Sequence, residues 1–309
     1  MKPRPLLALL LLTVVPPLLG ALLAPHVYTH LIPALHRAWP KFAPFNAPEF
    51  QRVMDRCVVA VSLLLLFPAF RLSGLAPQMR DALKLSRKRG VALARAVAVG
   101  MVSMGGAYFL GWLFGGYRVS SSVRNWPDFF SHAGFFLAGS VFIGVFEEMF
   151  FRGFVFGALR RRMGFWTAAV TASLFFMSLH FLHPALPPGF DGTRWSAGFA
   201  MMPLVICSLD PERDRAFAIT LFLMGLTLCR IYERDGNLWR AIGLHGGWVW
   251  AMQLGAFALD HNWAIMRGVL GPSDYVAQGP VAIPIIAAFL AWALIERRGR
   301  ASPDIVNHP

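Results

Sequence analysis

Long apolar runs recur along almost the whole chain and are separated by short polar segments. Most of them approach the roughly 20 residues that a helix needs to cross a hydrocarbon layer of about 30 Å. Ala197–Leu209 is short and contains Pro203, so we expect it not to span. The pattern predicts an all-α fold, a polytopic transmembrane helix bundle of about eight spanning helices. The candidate runs are Leu6–Ala24, Cys57–Phe70, Val91–Phe114, Phe129–Ala158, Phe165–Leu182, Ala197–Leu209, Ala216–Tyr232, Leu238–Leu259 and Val281–Ile295.

The first apolar run also has features of a secretory signal peptide, because Lys2 and Arg4 precede Leu6–Val15. However, Pro16 and Pro17 are followed by further apolar sequence, and later runs keep the chain in the membrane. We therefore expect the first run to be an uncleaved spanning helix, with a cleaved signal as the alternative.

Basic residues cluster in the connections between apolar runs. By the positive-inside rule, the two most basic connections are expected in the cytoplasm, together with the N-terminus. The expected location is a bacterial inner (cell) membrane. We predict one integral membrane domain over residues 1–309, in which 1–128 provide N-terminal transmembrane helices and a basic cytoplasmic loop and 129–257 form the core that carries the candidate site residues. The basic residues are Arg71, Arg80, Lys84, Arg87, Lys88 and Arg89 in the first connection and Arg160, Arg161 and Arg162 in the second.

Composition supports the membrane interpretation. The 309 residues are 56% hydrophobic and 15% charged, which is too apolar for an ordinary soluble domain. The net charge of +13 is explained by orientation, so no nucleic-acid partner is expected. Cys57, Cys207 and Cys229 are scattered and lack a CxxC spacing, which argues against a disulfide framework or a cysteine zinc site.

Two adjacent carboxylates and an arginine lie inside the fourth apolar run, as Glu147, Glu148 and Arg152. A charge in a membrane helix costs about 3 kcal/mol on insertion scales, so such residues are usually paired or functional. Glu148 and Arg152 are four residues apart and can neutralise each other on one helix face. Glu147 is turned about 100° away, so we expect it to be the carboxylate available for chemistry. The alternative is a purely structural polar cluster between helices.

A histidine follows on the next predicted helix. Glu147 and His180 each lie about 16 residues from the turn expected near Met163 and Gly164, so both should lie about 24 Å from it in an antiparallel hairpin. We therefore predict that they meet. A structural hydrogen bond between helices is the alternative role for His180. His183 precedes Pro184 and is a weaker candidate that marks the helix end.

A second histidine, His245, is followed by Gly246 and Gly247 in another apolar run. Adjacent glycines allow a second backbone to come close, which suits either a crowded site or a tight packing seam. A glutamate and two histidines can activate water and stabilise an oxyanion. Glu147, His180 and His245 could alternatively bind zinc, although no HExxH spacing is present. We expect no cofactor, with zinc as the alternative.

These motifs resemble those of the CPBP family, the CAAX proteases and bacteriocin-processing proteins, also called the ABI family, which includes type II CAAX prenyl endopeptidases. The resemblance rests on Glu147-Glu148-x-x-x-Arg152, Phe176-x-x-x-His180 and His245, in this order. It implies an intramembrane endopeptidase with a metal-independent, glutamate-dependent mechanism. In that mechanism Glu147 activates water, His180 helps to bind it, His245 contributes to the oxyanion site, and Arg152 supports the glutamates.

The chain departs from the family pattern at Val249, four residues after His245, where much of the family has Asn or Asp. Valine cannot donate a hydrogen bond to an oxyanion, and loss of one such donor costs about 3 kcal/mol of transition-state stabilisation. The first hypothesis is an endopeptidase that cleaves a membrane-associated protein or peptide at the lipid bilayer. The alternatives are a non-catalytic immunity or scaffold protein of the same fold, and a transporter or proton relay.

Overall fold

The computed structural model describes residues 4–40, 48–182, 186–204, 210–262 and 267–296. Two compact units are present. Unit 1 contains Met1–Ala76 and Leu179–Asp210, and unit 2 contains Pro77–Ser178 and Pro211–Pro309. His183, Cys207 and the basic tail after Glu296 lie outside the described residues. The prediction of a single domain over the whole chain stays a prediction.

Helices form most of both units, as the apolar pattern predicts. They are α1 Pro5–Thr13, α2 Val15–His26, α3 Ile32–Ala38, α4 Phe50–Ser73, α5 Ala76–Leu83, α6 Arg87–Leu113, α7 Trp126–Glu148, α8 Gly157–Arg160, α9 Phe165–Leu179, α10 Ala197–Met201, α11 Pro211–Asp235, α12 Trp239–Ala258, α13 Arg267–Leu270 and α14 Ala282–Ile295. Two π-helices, Val27–Leu31 and Met149–Phe156, connect α2 to α3 and α7 to α8. Short 3-10 helices cover Ser121–Arg124 and Val276–Gln278.

Local sequence explains several helix ends. Ser86 caps α6, because its hydroxyl accepts a hydrogen bond from the backbone amide of Arg89. Gly74 ends α4 in the left-handed conformation, at φ 73°, which glycine adopts without steric cost. Pro16 and Pro17 lie in the first turn of α2, where a missing amide hydrogen is tolerated, so the first apolar run is divided at Val14.

Unit 1 has its own apolar core, in which α2 packs against α4 and α10. The backbone of Ala21 comes so close to Gly198 that a Cβ there would lie 2.2 Å from the Ala21 carbonyl oxygen. α10 is a helix of only five residues, and residues 205–209 of the same apolar run lie outside the described residues, so the expectation that this run does not span stays a prediction. The core residues are Ala21, Ala24, Ile32, Phe50, Val53, Met54, Cys57, Ala197 and Met201.

Unit 2 is arranged around α12, which packs against both α6 and α7, while α11 packs against α14. At one end of the unit, strand β1 (Tyr117–Val119) pairs antiparallel with β2 (Leu259–His261), with Tyr117 opposite His261. At the other end, Glu296 contacts Arg234 and Arg240, and therefore the end of α14 lies beside the end of α11 and the start of α12.

The transmembrane character is confirmed, although the number of crossings stays a prediction. Among the described residues, five helical stretches are long and apolar enough to span: Pro5–Ala38, Phe50–Ser73, Arg87–Leu113, Trp126–Arg160 and Pro211–Asp235. Two shorter apolar helices are α9 and α14. α12, which was expected to span, is not among the five, and it carries Arg240, His245 and Gln253.

Candidate active site

The acidic doublet lies at the point where the fourth apolar run changes its hydrogen-bonding pattern. α7 ends at Glu148, and the π-helix Met149–Phe156 continues directly from it. Arg152 therefore projects from a wider helical turn than the sequence analysis assumed. Such π segments are rare and frequently occur at functional sites. The continuous helix brings both carboxylates and the guanidinium to the middle of unit 2.

His245 is positioned by three glycines of α12 that lie close to neighbouring helices. We refer to Gly243, Gly246 and Gly247 as the glycine seam. A Cβ on Gly243 would lie 2.5 Å from the Leu93 carbonyl oxygen, and one on Gly247 would lie 2.3 Å from the Val97 carbonyl oxygen, both on α6. Gly246 faces α7 in the same way. The close backbone approach expected from Gly246 and Gly247 is therefore confirmed. α12 lies tightly between two helices, with His245 held in the seam.

Glu148 is the centre of a buried charge cluster. Its Oε1 accepts a hydrogen bond from Arg152 Nη1 at 2.7 Å and another from His245 Nδ1 at 2.8 Å. The side chains of Glu148 and Arg152 are 0% and 1% exposed. Since an ionised carboxylate can only accept, Nδ1 carries the hydrogen of the contact with His245. The pair expected from the spacing of Glu148 and Arg152 is present, and it also fixes the orientation of the imidazole ring.

Glu147 approaches the same imidazole from its other nitrogen. Its Oε2 lies 3.7 Å from His245 Nε2, beyond direct hydrogen-bond range. The Glu147 side chain is 22% exposed, in contrast to the fully buried Glu148. His245 thus has a carboxylate at each ring nitrogen. Glu148 is close and fully buried, whereas Glu147 is more distant and its side chain is partly exposed, although the Oε2 that faces Nε2 is itself buried.

Phe176 completes the support of the cluster. Its ring is perpendicular to that of His245, with centroids 6.1 Å apart, and the Arg152 guanidinium lies 4.7 Å from its centroid. A cation over an aromatic face is favourable, and more so when both groups are buried as here. Phe176 therefore contacts both the basic and the imidazole side of the site.

The other predicted site residues are placed less directly. His180 follows immediately after the last residue of α9 and is assigned to unit 1, so the predicted meeting with Glu147 stays a prediction. Val249 lies on α12, half-buried, one turn beyond His245. The two neighbouring indoles do not replace its missing donor, because Trp248 Nε1 donates to Ser103 Oγ and Trp250 Nε1 donates to the Ala133 carbonyl.

The alternative to a metal-free site is a zinc site made of Glu147, His180 and His245. Within the part of the chain that the structure describes, no three His, Cys, Asp or Glu side chains are arranged to hold a metal ion. In addition, the Nδ1 of His245 is directed at Glu148, while its Nε2 faces Glu147.

The contact between His245 and Glu148 was not predicted from the sequence. The four-residue spacing indicated Arg152 as the partner of Glu148, and no sequence pattern defined the rotation of α12 about its axis. That rotation is set by the glycine seam, where Gly243 and Gly247 face α6. The only available signal was the glycine spacing around His245, which indicates the buried face of the helix.

Comparison with known proteins gives a match to a protease family. Residues 129–251 match the family model described as type II CAAX prenyl endopeptidase Rce1-like. Comparison with curated proteins and with solved structures gave no match. The matched segment contains the acidic doublet, Arg152, Phe176, His180, His245 and Val249. Over residues 129–251, the chain is therefore similar to the type II CAAX prenyl endopeptidases of the CPBP, or CAAX protease, family.

Proposed function

We propose that this protein is an intramembrane endopeptidase that hydrolyses a peptide bond in a membrane-associated protein or peptide, with water activated by Glu147. The observation that carries the proposal is an imidazole between two carboxylates of unequal exposure. His245 Nδ1 is 2.8 Å from the fully buried Glu148, and its Nε2 is 3.7 Å from Glu147, whose side chain is partly exposed. The match of residues 129–251 to a protease family supports the reaction class.

Charge balance gives His245 a defined role. Arg152 neutralises Glu148, and therefore an ionised Glu147 leaves one negative charge in the cluster. The proposed oxyanion role requires a hydrogen on both ring nitrogens of His245, and the positive charge of such a ring balances this excess. In that form Nδ1–H donates to Glu148, and Nε2–H lies on the side of Glu147.

The reaction follows from these positions. Glu147 removes a proton from a water molecule, whose oxygen attacks the carbonyl carbon of the scissile peptide bond. The carbonyl oxygen becomes an oxyanion that accepts a hydrogen bond from Nε2–H of His245. Glu147 then transfers its proton to the amide nitrogen, the C–N bond breaks, and a carboxylic acid and an amine are released.

His180 is proposed to bind the attacking water, as the family resemblance implies. Val249 supplies no second oxyanion donor, and the nearby indoles of Trp248 and Trp250 already donate elsewhere. We therefore propose that the oxyanion is stabilised mainly by His245. This predicts a slower enzyme than one with two donors, because each donor contributes about 10²-fold to 10³-fold in rate.

The test is cleavage of a membrane-peptide library by the purified full-length chain in lipid nanodiscs. Glu147→Gln should lower the rate by about 10²-fold to 10⁴-fold, the typical contribution of a general base. Glu49→Gln is the matched control, since Glu49 forms only an exposed ion pair with Arg52 in unit 1. Folding of every variant is checked by its thermal unfolding midpoint.

The histidines require their own comparison. His245→Gln should lower the rate by about 10²-fold or more. The matched control His132→Gln should be fully active, because His132 lies half-exposed at the start of α7 beside Asp128. His180→Ala tests the proposed water-binding role. Full cleavage by folded Glu147→Gln and His245→Gln would refute the mechanism and favour the non-catalytic alternative.

A chelator arm addresses the metal alternative. Cleavage by the wild-type protein should be unchanged after dialysis against a strong chelator of divalent ions. Loss of activity that zinc restores would replace the glutamate mechanism with a metal-assisted one.

A further inference from the structure

A strongly basic segment lies before the membrane-spanning helix α6. Residues 76–90 contain five basic side chains and a single acidic one, Asp81. Four of the basic side chains, Arg80, Lys84, Arg87 and Lys88, are exposed, and we refer to them as the basic surface. None of the four forms an ion pair within the part of the chain that the structure describes. The basic surface therefore carries positive charge that no described carboxylate compensates.

The segment that carries the basic surface has regular structure and defined hydrogen bonds. α5 is amphipathic, with Met79 and Ala82 buried on one face. Arg89 Nη1 donates hydrogen bonds to the carbonyl oxygens of Asp81 at 2.9 Å and Lys84 at 2.6 Å, which satisfies acceptors at the end of α5. These contacts hold the turn between α5 and α6 in one conformation, so the basic surface has a fixed position.

An apolar side chain indicates which kind of anion the surface meets. Leu85 is 64% exposed among the basic residues, as is typical of segments at the boundary between lipid headgroups and acyl chains. The second basic connection lies beside it, because Arg161 Nη2 donates to Gln78 Oε1. The exposed Arg162 adds to the positive charge at this end of unit 2. A soluble anion would gain nothing from Leu85, whereas a membrane leaflet would.

The segment is also attached to the helix that carries His245. The backbone amide of Leu238 donates to the Ala82 carbonyl oxygen at 3.3 Å, and Trp239 Nε1 donates to the Lys84 carbonyl oxygen at 3.2 Å. Trp239 is the first residue of α12, about 9 Å of helix from His245. Ordering of the basic segment therefore acts directly on the start of α12.

We propose that the basic surface binds the phosphate groups of anionic phospholipids in the adjacent leaflet, and that bound headgroups hold the start of α12 in place. The interaction is electrostatic and is worth about fivefold in affinity per basic residue near an anionic membrane surface. Leu85 enters the acyl region beside the headgroups. Zwitterionic lipid lacks the net charge and binds more weakly.

The test titrates short-chain phosphatidylglycerol or short-chain phosphatidylcholine into the detergent-solubilised full-length protein, with bound lipid counted by native mass spectrometry. Arg87→Gln/Lys88→Gln should weaken phosphatidylglycerol binding by about 25-fold and leave phosphatidylcholine binding unchanged. The matched control is Arg118→Gln/Arg124→Gln, which removes two exposed charges near the β1 end of unit 2. It should bind phosphatidylglycerol like the wild type.

The effect on α12 is read by hydrogen exchange. Phosphatidylglycerol should slow exchange of the peptide containing Leu238 in the wild type and not in Arg87→Gln/Lys88→Gln. Equal phosphatidylglycerol binding by both double variants overturns the site, and unchanged exchange upon binding overturns the link to α12. Displacement of the lipid by equimolar inorganic phosphate would identify a soluble anion as the occupant and overturn the assignment to lipid.

Discussion

Substitution of Gly247 by alanine tests whether the glycine seam positions the candidate site. The new Cβ would lie 2.3 Å from the Val97 carbonyl oxygen and 3.0 Å from Gly100 Cα. Both neighbours are backbone atoms of α6, which cannot rotate away as a side chain can. The two helices must therefore separate by about 1 Å, since close-packed interiors have no spare volume to absorb the methyl group.

This displacement has two measurable consequences. Overpacking of this kind typically costs about 1–3 kcal/mol of stability. His245 lies two residues from Gly247 and contacts Glu148 at 2.8 Å, so a shift of about 1 Å changes the length and angle of this hydrogen bond and weakens it. A misplacement of about 1 Å at a catalytic group can lower the rate by about 10²-fold. We expect Gly247→Ala to lose both stability and peptide cleavage.

The assay compares thermal unfolding and cleavage of Gly247→Ala with those of Gly106→Ala. Gly106 lies on α6, and a Cβ there would meet nothing within 4 Å. Alanine at that position should be neutral or stabilise the helix by about 0.5–1 kcal/mol, because glycine has the greater backbone entropy when unfolded. If Gly247→Ala unfolds and cleaves like Gly106→Ala, the tight seam does not determine the geometry of the site.

Two further predictions concern buried polar groups. Arg152→Met should cost about 3–5 kcal/mol in equilibrium unfolding because it leaves the charge of Glu148 buried without its cation, whereas Arg52→Met, which breaks an exposed ion pair with Glu49, should cost about 1 kcal/mol or less. Equal losses would contradict this. The Tyr117 hydroxyl is buried without a hydrogen-bond partner among the described residues, so Tyr117→Phe should be neutral or stabilising in thermal unfolding. Tyr108→Phe should cost about 1–3 kcal/mol, because its hydroxyl links backbone groups; the opposite order would refute the argument.

The helical architecture followed from the sequence because lipid imposes a simple requirement. Every spanning segment must satisfy its own backbone hydrogen bonds, so long apolar runs can only be helices there. The pair of Glu148 and Arg152 was predictable for a related reason, since their spacing brings them together within one helix. The glycines beside His245 likewise indicated the face on which α12 meets its neighbours.

Features that depend on helix irregularity were not predictable in the same way. The π-helix Met149–Phe156 follows from a local change in backbone hydrogen bonds that the apolar pattern does not record. The matched-depth argument for Glu147 and His180 assumed a regular rise throughout, and this segment violates it. The pairing of β1 with β2 involves three residues on each strand, too few for any alternation to be visible.

The two adjacent glutamates suit two different roles, which a single glutamate could not combine. A carboxylate that fixes the imidazole must be buried and hydrogen-bonded, as Glu148 is, and it is then inaccessible to substrate. A carboxylate that takes a proton from water must be reachable, as the partly exposed Glu147 is. Consecutive residues on a helix are turned by about 100° from each other, which lets neighbours face different surroundings while remaining at the same depth. One imidazole therefore lies between the two acids, with Glu148 at Nδ1 and Glu147 at Nε2. Both acids come from one helix. Arg152, on the next turn of that helix, neutralises Glu148 and so lowers the free-energy cost of placing two carboxylates side by side in a buried site.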